Sequence, residues 1–257
     1  MPVPNTPDKH AGRPYVTPHR LLAYRAEHGR AVGAPPAAVI VSWQRELVNR
    51  VRSARRCREI TGPAGGVLAL SPKLGVARLP IGAPVAAIML EELAALGVRT
   101  VVGIGTAGAI GTSLAVGDVV ICSQALRDEG TSHHYAPDGQ WAHPHPDLFD
   151  MLRAAIPGAR TGPTWTTDAP YRETEEEILA YQAEGVLTVD MEASAMFTVG
   201  DFLGVRTASV FCISDVLHGP EWLPHFHSDR VDAALWEVFE RIEAMPDLVD
   251  WGGGGGD

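Results

Sequence analysis

The sequence has 257 residues, with 21 Lys and Arg against 31 Asp and Glu, and a formal net charge of −10. A chain of this length buries a sizeable core, and its 46% hydrophobic and 20% charged residues are typical of a globular protein. The negative charge disfavours nucleic acid and anionic membranes as partners. No apolar run approaches the roughly 20 residues of a membrane span, and the start has no signal-peptide core. We therefore expect a cytoplasmic protein.

The cysteines and histidines indicate neither disulfides nor a metal site. Cys57, Cys122 and Cys212 are widely spaced and form no CxxC motif, so we expect reduced, mostly buried thiols. The histidine pairs at 133/134, 143/145 and 225/227 lie in polar stretches. None has HExxH spacing or an accompanying cysteine pair, so we interpret them as ordinary loop histidines and predict no metal.

The first part of the chain predicts an arm followed by alternating strands and helices. Residues 1–36, rich in Pro, Arg and His, read as an irregular arm with a short helix starting near Thr17. The next predicted elements are a strand at 37–41, a helix at 43–57 capped by Ser42, strands at 66–71 and 75–81, a helix at 84–96 and a strand at 100–104.

A glycine-rich stretch follows the strand at 100–104. Because glycine has no Cβ and tolerates positive φ, we expect a loop whose backbone N–H groups surround an oxygen-rich ligand. The spacing of Gly103, Gly105 and Gly108 also matches the dinucleotide fingerprint. That fingerprint must open a helix, whereas Gly117 and Asp118 here lead into another strand pattern. The pattern disfavours NAD or FAD, and a glycine-rich turn without a ligand remains an alternative.

The rest of the chain continues the alternation of strands and helices. We predict a strand at 118–126, a polar loop at 127–146, a helix at 147–156, a turn-rich segment at 164–172, an acidic helix start at 173–177, a strand at 185–189, a helix at 191–203, a strand at 207–216 and a helix from Ser228 to 245. This order predicts one α/β domain over 37–245 with a mixed sheet, followed by a flexible Gly-rich tail at 246–257.

Polar residues end several strand patterns, which is where ligands of α/β sheets bind. Glu192 lies in the first turn of an apolar helix, where it either accepts ligand hydroxyls or favours the helix dipole. Asp215 follows the strand at 207–216 and suits either a general acid or a turn residue. A carboxyl has an ordinary pKa of ~3.9, so an acid role near neutrality requires a pocket or substrate that raises the pKa. The pattern leaves these alternatives open.

Three motifs in order resemble the nucleoside phosphorylase superfamily, which includes uridine phosphorylase, purine nucleoside phosphorylase and methylthioadenosine nucleosidase. They are EELAALGVRT with IGTAGAI at 91–110, GDVV with a downstream Arg, Gly and Ser at 117–137, and VDMEASA at 189–195. The resemblance covers about 37–243. It implies a phosphorylase/hydrolase-like fold in which the mixed sheet forms a distorted barrel flanked by helices. It also implies an enzyme without a cofactor that cleaves a nucleoside N-glycosidic bond, and a homo-oligomer with shared active sites.

The resemblance also implies roles for individual residues. Glu192 would hold the ribose 2′ and 3′ hydroxyls, Met191 would pack on the sugar, and Thr106 would touch the nucleophile or the sugar. Asp215, after Ser214, matches the acid by which purine-acting members protonate the base. Such an arrangement suits an oxocarbenium-like sugar, because an anion stabilises its positive charge and an acid neutralises the departing base.

The base segment favours a purine, in a modified nucleoside or an ordinary one. Uridine-acting relatives supply Gln and Arg there, whereas the sequence at 166–174 is TTDAPYRET. Tyr171 and Arg172 are candidate base or lid contacts, with surface positions as the alternative. By resemblance, Gly105 and Arg127 are further substrate contacts, and His19 on the arm would reach a neighbour's sugar.

The phosphate side departs from the family. Phosphorylases have a Gly-Asp-Pro-x-x-Arg turn where this chain has SWQREL at 42–47, and an expected arginine is Gly103. Arg58 alone resembles the arginine donated across the subunit interface. Losing charge-assisted contacts weakens phosphate binding, so we favour hydrolysis, with Glu46 as candidate base. Phosphorolysis, with Arg45 in a shifted register, remains an alternative, and a non-catalytic nucleoside-binding protein is an alternative of another class.

Overall fold

The computed structural model describes residues 4, 6, 8–62, 66–219, 221–246 and 248. The helices in this part of the chain are α1 Pro18–Glu27, α2 Arg45–Ala54, α3 Ala83–Ala95, α4 Pro146–Ala155, α5 Glu175–Ala183, α6 Ala193–Leu203 and α7 Asp229–Glu243. The strands are β1 Ala38–Ser42, β2 Arg58–Ile60, β3 Val67–Ala69, β4 Leu74–Arg78, β5 Thr100–Ala109, β6 Val119–Asp128, β7 Trp141–Ala142, β8 Arg160–Thr167, β9 Thr188–Asp190, β10 Arg206–Val216 and β11 Leu223–Pro224.

The strands form one mixed sheet, part of which closes into a barrel. Their order is β11-β10-β6-β8-β9-β5-β1-β4-β3-β2, with β7 beside β6, and an additional pairing of β10 with β5 closes a ring of five strands. Within the ring, β5 and β10 are parallel, as are β6 and β8, whereas β6 and β10 are antiparallel. The predicted α/β fold, mixed sheet and distorted barrel are confirmed.

The helices cover the two faces of this sheet. On one face α3 and α6 pack together with the strands, and Leu93 and Phe197 are fully buried there. On the other face α2, α4 and α7 bury residues such as Val51 and Phe239. Strands covered on both faces are apolar throughout rather than alternating, which explains why every residue of β10 is buried.

The glycine-rich stretch is a strand and not the predicted loop. β5 runs from Thr100 to Ala109 and pairs with both β1 and β10. A Cβ on Gly105 would lie 3.0 Å from Cε3 of Trp43, and one on Gly108 would lie 2.5 Å from Cδ1 of Leu217. Glycine is therefore required here because other side chains pack directly on the strand, not because the backbone turns.

Two further predictions from the sequence were wrong. The segment predicted as turn-rich at 164–172 contains the second half of β8, and these four residues are buried. The helix predicted at 43–57 is only α2, and its N-cap is Gln44. Ser42 instead ends β1, and its hydroxyl accepts a hydrogen bond of 3.2 Å from the Gln44 N–H. The short strand β2 follows where the helix was expected to end.

The N-terminal arm contains the predicted short helix. The hydroxyl of Thr17 caps α1, and Arg25 forms a salt bridge of 2.7 Å with the buried Glu92 of α3. The predicted tail at 246–257 lies outside the described residues except for 246 and 248. No helix in the described part of the chain is long and apolar enough to cross a membrane.

Candidate active site

A cavity of about 640 Å³ opens at the carboxyl ends of β5, β9 and β10. Among the described residues that line it there is no Lys, Arg or His. Six carboxylic acids line it, namely Glu173, Glu175, Asp190, Glu192, Asp215 and Glu221. The cavity is therefore strongly acidic within one subunit and supplies no cation for an anionic ligand.

Glu192 is held at the floor of the cavity, directly before α6. Its Oε1 accepts a hydrogen bond of 2.6 Å from the backbone N–H of Gly82, and the residue is only 7% exposed. Burial, and then the charge of Asp190, raise the pKa of Glu192 to about 8, against the effect of the Gly82 hydrogen bond. A ligand hydroxyl or a positive charge in the cavity would favour the ionised carboxylate.

Asp190 organises this part of the cavity. Its Oδ1 accepts hydrogen bonds from Thr166 and Thr164 of β8, and its Oδ2 accepts from the backbone N–H groups of Glu192 and Ala193 at 2.8 and 2.7 Å. Burial is the main cause that raises its pKa. Asp190 lies on β9, and through these bonds to β8 and to the start of α6 it positions Glu192 directly before the helix.

Asp215 lies near the end of β10 and lines the cavity. Ser214 donates a hydrogen bond of 2.8 Å to its Oδ1, and the indole N–H of Trp222 donates one of 2.8 Å to its Oδ2. Asp215 is 8% exposed and lines the cavity. The two donors hold both carboxylate oxygens, so the carboxyl group presents one orientation to a ligand.

Thr106 lies on β5, which pairs with both β9 and β10, and it lies beside the segment that follows β1. Gln44 donates a hydrogen bond of 2.9 Å to the Thr106 hydroxyl. The indole of Trp43 covers the strand, because a Cβ on Gly103 would lie 3.2 Å from its Cη2. The indole nitrogen is buried and has no hydrogen-bond partner among the described residues. Trp43 therefore fills the space that an arginine at position 103 would need.

Comparison with known proteins identifies the family. A model of the phosphorylase superfamily matches residues 31–241. The chain belongs to this superfamily. A guanosine phosphorylase of Halorubrum lacusprofundi is 29% identical over 177 residues, which are 64% of this chain and 73% of that protein. A uridine phosphorylase of Haemophilus influenzae is 34% identical over 151 residues, 51% of this chain and 59% of that protein.

Solved structures of this superfamily share the fold. A purine nucleoside phosphorylase from Toxoplasma gondii superposes with a TM-score of 0.73 at 19% identity and covers 81% of this chain and 89% of its own. An AMP nucleosidase from Bacteroides thetaiotaomicron gives a TM-score of 0.71 at 18% identity, over 89% of this chain and 97% of its own. At these identities the likeness concerns the fold alone. The resemblance to the nucleoside phosphorylase superfamily seen in the sequence is confirmed. The relatives are named as phosphorylases and a nucleosidase, as the sequence predicted.

The cavity of this superfamily member brings together part of the predicted site. Thr106, Met191, Glu192, Ser214 and Asp215 all line it, and Tyr171 lies at its rim with 97% of its surface exposed. Their assigned roles remain predictions. Four further residues line the cavity that no sequence motif pointed to, namely Trp43, Gln44, Glu173 and Trp222. Trp43 and Gln44 had one local signal, because they stand where the family has a phosphate-binding turn.

Arg127 lies outside the lining of the cavity and organises the neighbouring loop. Its Nε donates to the hydroxyl of Ser132 at 2.9 Å, and its other nitrogens donate to the carbonyls of Pro137, Gly139 and Ala136. Burial lowers the pKa of the guanidinium. These bonds occupy Arg127 within the loop, so its predicted contact with substrate has no support in the geometry of one subunit.

The other charged candidates also lie outside the cavity lining. Arg45 and Glu46 are exposed on the first turn of α2 and pair with each other at 3.2 Å. Arg58 is exposed on β2, His19 on α1 and Arg172 in the short helix before α5. Gly105 and Gly103 lie beneath Trp43 rather than against ligand space. Roles for the exposed residues would require a second subunit or a moved segment.

Proposed function

We propose that this protein cleaves the N-glycosidic bond of a purine nucleoside, with water as the nucleophile. One observation carries the proposal: Glu192 and Asp215 line one cavity that has no cation among its described lining residues, and Trp43 covers Gly103. Phosphate is a dianion that phosphorylases hold with charge-assisted hydrogen bonds. An acidic, cation-free wall would repel it, whereas neutral water meets no such penalty.

The carboxyl groups suit the two halves of this reaction. As the C1′–N9 bond breaks, positive charge develops on the sugar, and the carboxylate of Glu192 stabilises it while accepting hydrogen bonds from ribose hydroxyls. A proton taken up from solvent with the nucleoside, and held between Asp215 and N7, neutralises the leaving purine. Water, beside Thr106 and Gln44, adds to C1′ and releases a proton. Glu46 is turned to solvent, so we assign that proton to Glu192, whose pKa is raised to about 8.

Phosphorolysis is the second candidate, and the names of two relatives favour it. The matched proteins from Halorubrum and Haemophilus are phosphorylases. For this chain the reaction would need a cation from another subunit of a homo-oligomer. Arg58 is the candidate donor, because it is exposed on the short strand β2.

The experiment distinguishes water from phosphate as the acceptor by identifying the sugar product. Adenosine, inosine, methylthioadenosine and uridine are incubated with the protein in ¹⁸O-water, with and without phosphate. We expect free purine without phosphate and one ¹⁸O atom in the released sugar. Sugar 1-phosphate formed only with phosphate would replace hydrolysis by phosphorolysis. Cleavage of no nucleoside under either condition, by protein whose melting is cooperative, would refute the proposed function.

A further inference from the structure

Glu173 is an unpaired acid in the wall of the cavity. It follows the short helix Pro170–Arg172 and precedes Thr174, which forms a capping box with Glu177 at the start of α5. The backbone on both sides of Glu173 is thereby fixed, and the side chain lines the cavity. No described residue donates a hydrogen bond to its carboxyl group. Glu177, by contrast, is used within the cap.

Glu173 and Asp215 line the same cavity. Burial, and then the charges of Asp215 and Glu177, raise the pKa of Glu173 to about 7. Two acids that face the same space without a cation between them favour a ligand that offers hydrogen-bond donors to one of them. No described residue of the cavity donates to Glu173, so its carboxyl group is available to a donor on the ligand.

We propose that Glu173 accepts a hydrogen bond from an amino group at position 6 of the purine and selects 6-amino over 6-oxo nucleosides. The inference rests on the proposed function, which places N7 of the base at Asp215. In a purine the substituent at C6 lies beside N7 on the same edge. Glu173 shares the cavity with Asp215, so its carboxyl group can reach the C6 substituent. At a pH above about 7 the Glu173 carboxyl group is mostly ionised, so an amino group donates to it, whereas a 6-oxo oxygen faces it as a second acceptor. Glu173 is half-buried, and a site with a partly desolvated acceptor discriminates against a ligand that leaves it unpaired.

The experiment compares kcat/KM for adenosine and inosine in wild type, Glu173→Gln and Glu173→Ala, with Glu176→Gln as the matched control. Glu176 belongs to the same acidic run but is exposed and does not line the cavity. We expect the wild type and the control to prefer adenosine. We expect Glu173→Gln to shift the ratio toward inosine by about tenfold or more, because its amide N–H can donate to the 6-oxo oxygen.

Binding of the free bases gives a second readout that does not need turnover. Adenine and hypoxanthine are titrated by calorimetry into the same four proteins. Adenine binding that weakens about tenfold in Glu173→Ala, but not in the control, supports the inference even if no nucleoside is cleaved. Two results overturn the inference. One is a ratio of kcat/KM for adenosine to kcat/KM for inosine that changes by less than about twofold in Glu173→Gln. The other is a Glu173→Ala variant that binds adenine and hypoxanthine more weakly by the same factor. Failure of the proposed function is recognised separately, as the absence of cleavage by the wild type.

Discussion

Glu192 and Gly82 are 110 residues apart in the chain, yet Oε1 of Glu192 accepts a hydrogen bond of 2.6 Å from the Gly82 N–H. Gly82 has a φ of 115° and directly precedes α3. This left-handed backbone is available to glycine at little cost, and it aims the N–H at the start of α6. The bond orients the acid that we place beneath the sugar.

Replacing Glu192 with Gln should abolish most activity without unfolding the protein. The amide oxygen of Gln can still accept from Gly82, but the negative charge that stabilises the sugar cation is lost. We expect kcat/KM for the preferred nucleoside to fall by about a hundredfold or more. Glu184→Gln, on the exposed end of α5, is the control and should leave the rate unchanged. A rate for Glu192→Gln within about threefold of wild type would contradict the assigned role.

The stability of the free protein should fall as the pH rises from about 5 to about 8. The pKa of Glu192 is raised from 4.5 to about 8 and that of Glu173 from 4.5 to about 7. Over this window the folded state binds more protons than the unfolded state, so raising the pH favours unfolding. One pKa unit corresponds to about 1.4 kcal/mol, so the loss should be on the order of a few kcal/mol, most of it from the buried Glu192, because solvent screens the half-buried Glu173.

Chemical denaturation at several pH values measures this loss. Glu192→Gln removes one of the two groups, so its free energy of unfolding should depend less on pH than that of the wild type. If the free energy of unfolding has the same dependence on pH in the two proteins, Glu192 is ionised at neutral pH in the folded, ligand-free protein.

Asp215 and Trp222 should contribute unequally to catalysis. Asp215→Asn has no acidic proton to give to the base, and we expect kcat to fall by about 10² to 10⁴. Trp222→Phe loses only the N–H that binds Oδ2, while its ring can still pack near Phe226, whose ring centre is 5.9 Å away. A smaller loss of about tenfold is expected for it. Steady-state rates with adenosine test the order, and an unchanged rate for Asp215→Asn would remove its role as acid.

A side chain at position 103 should be poorly tolerated. A Cβ there would lie 3.0 Å from Oγ of Ser209, 3.2 Å from Cη2 of Trp43 and 3.4 Å from Cε of Met196. We expect Gly103→Ala to destabilise the protein by about 1–3 kcal/mol in urea denaturation. Gly62→Ala is the control, because the nearest atoms to its Cβ are 3.7 Å away. Wild-type stability of Gly103→Ala would mean that the indole moves aside easily.

Local patterns in the sequence predicted the helices and part of the site. Apolar spacing of 3.6 residues located α3 and α7, and Ser228 was found as the cap of α7 from its type and place. These signals are local, since caps and periodicity depend on residues within a few positions. Motifs around Thr106, Glu192 and Asp215 located acids and a hydroxyl that the structure brings to one cavity.

The sequence by itself determined the fold family, the mixed sheet and the candidate acids, because each depends on short ordered motifs. Only the tertiary structure decided that the glycines of β5 extend a strand under Trp43, that β8 is a strand of the barrel, and that Arg127 bonds to its own loop. It also decided that Glu173 faces the same cavity as Asp215. Strand pairing and the atoms packed on a glycine involve residues far apart in the chain, and no local pattern records which distant side chain will fill a given space.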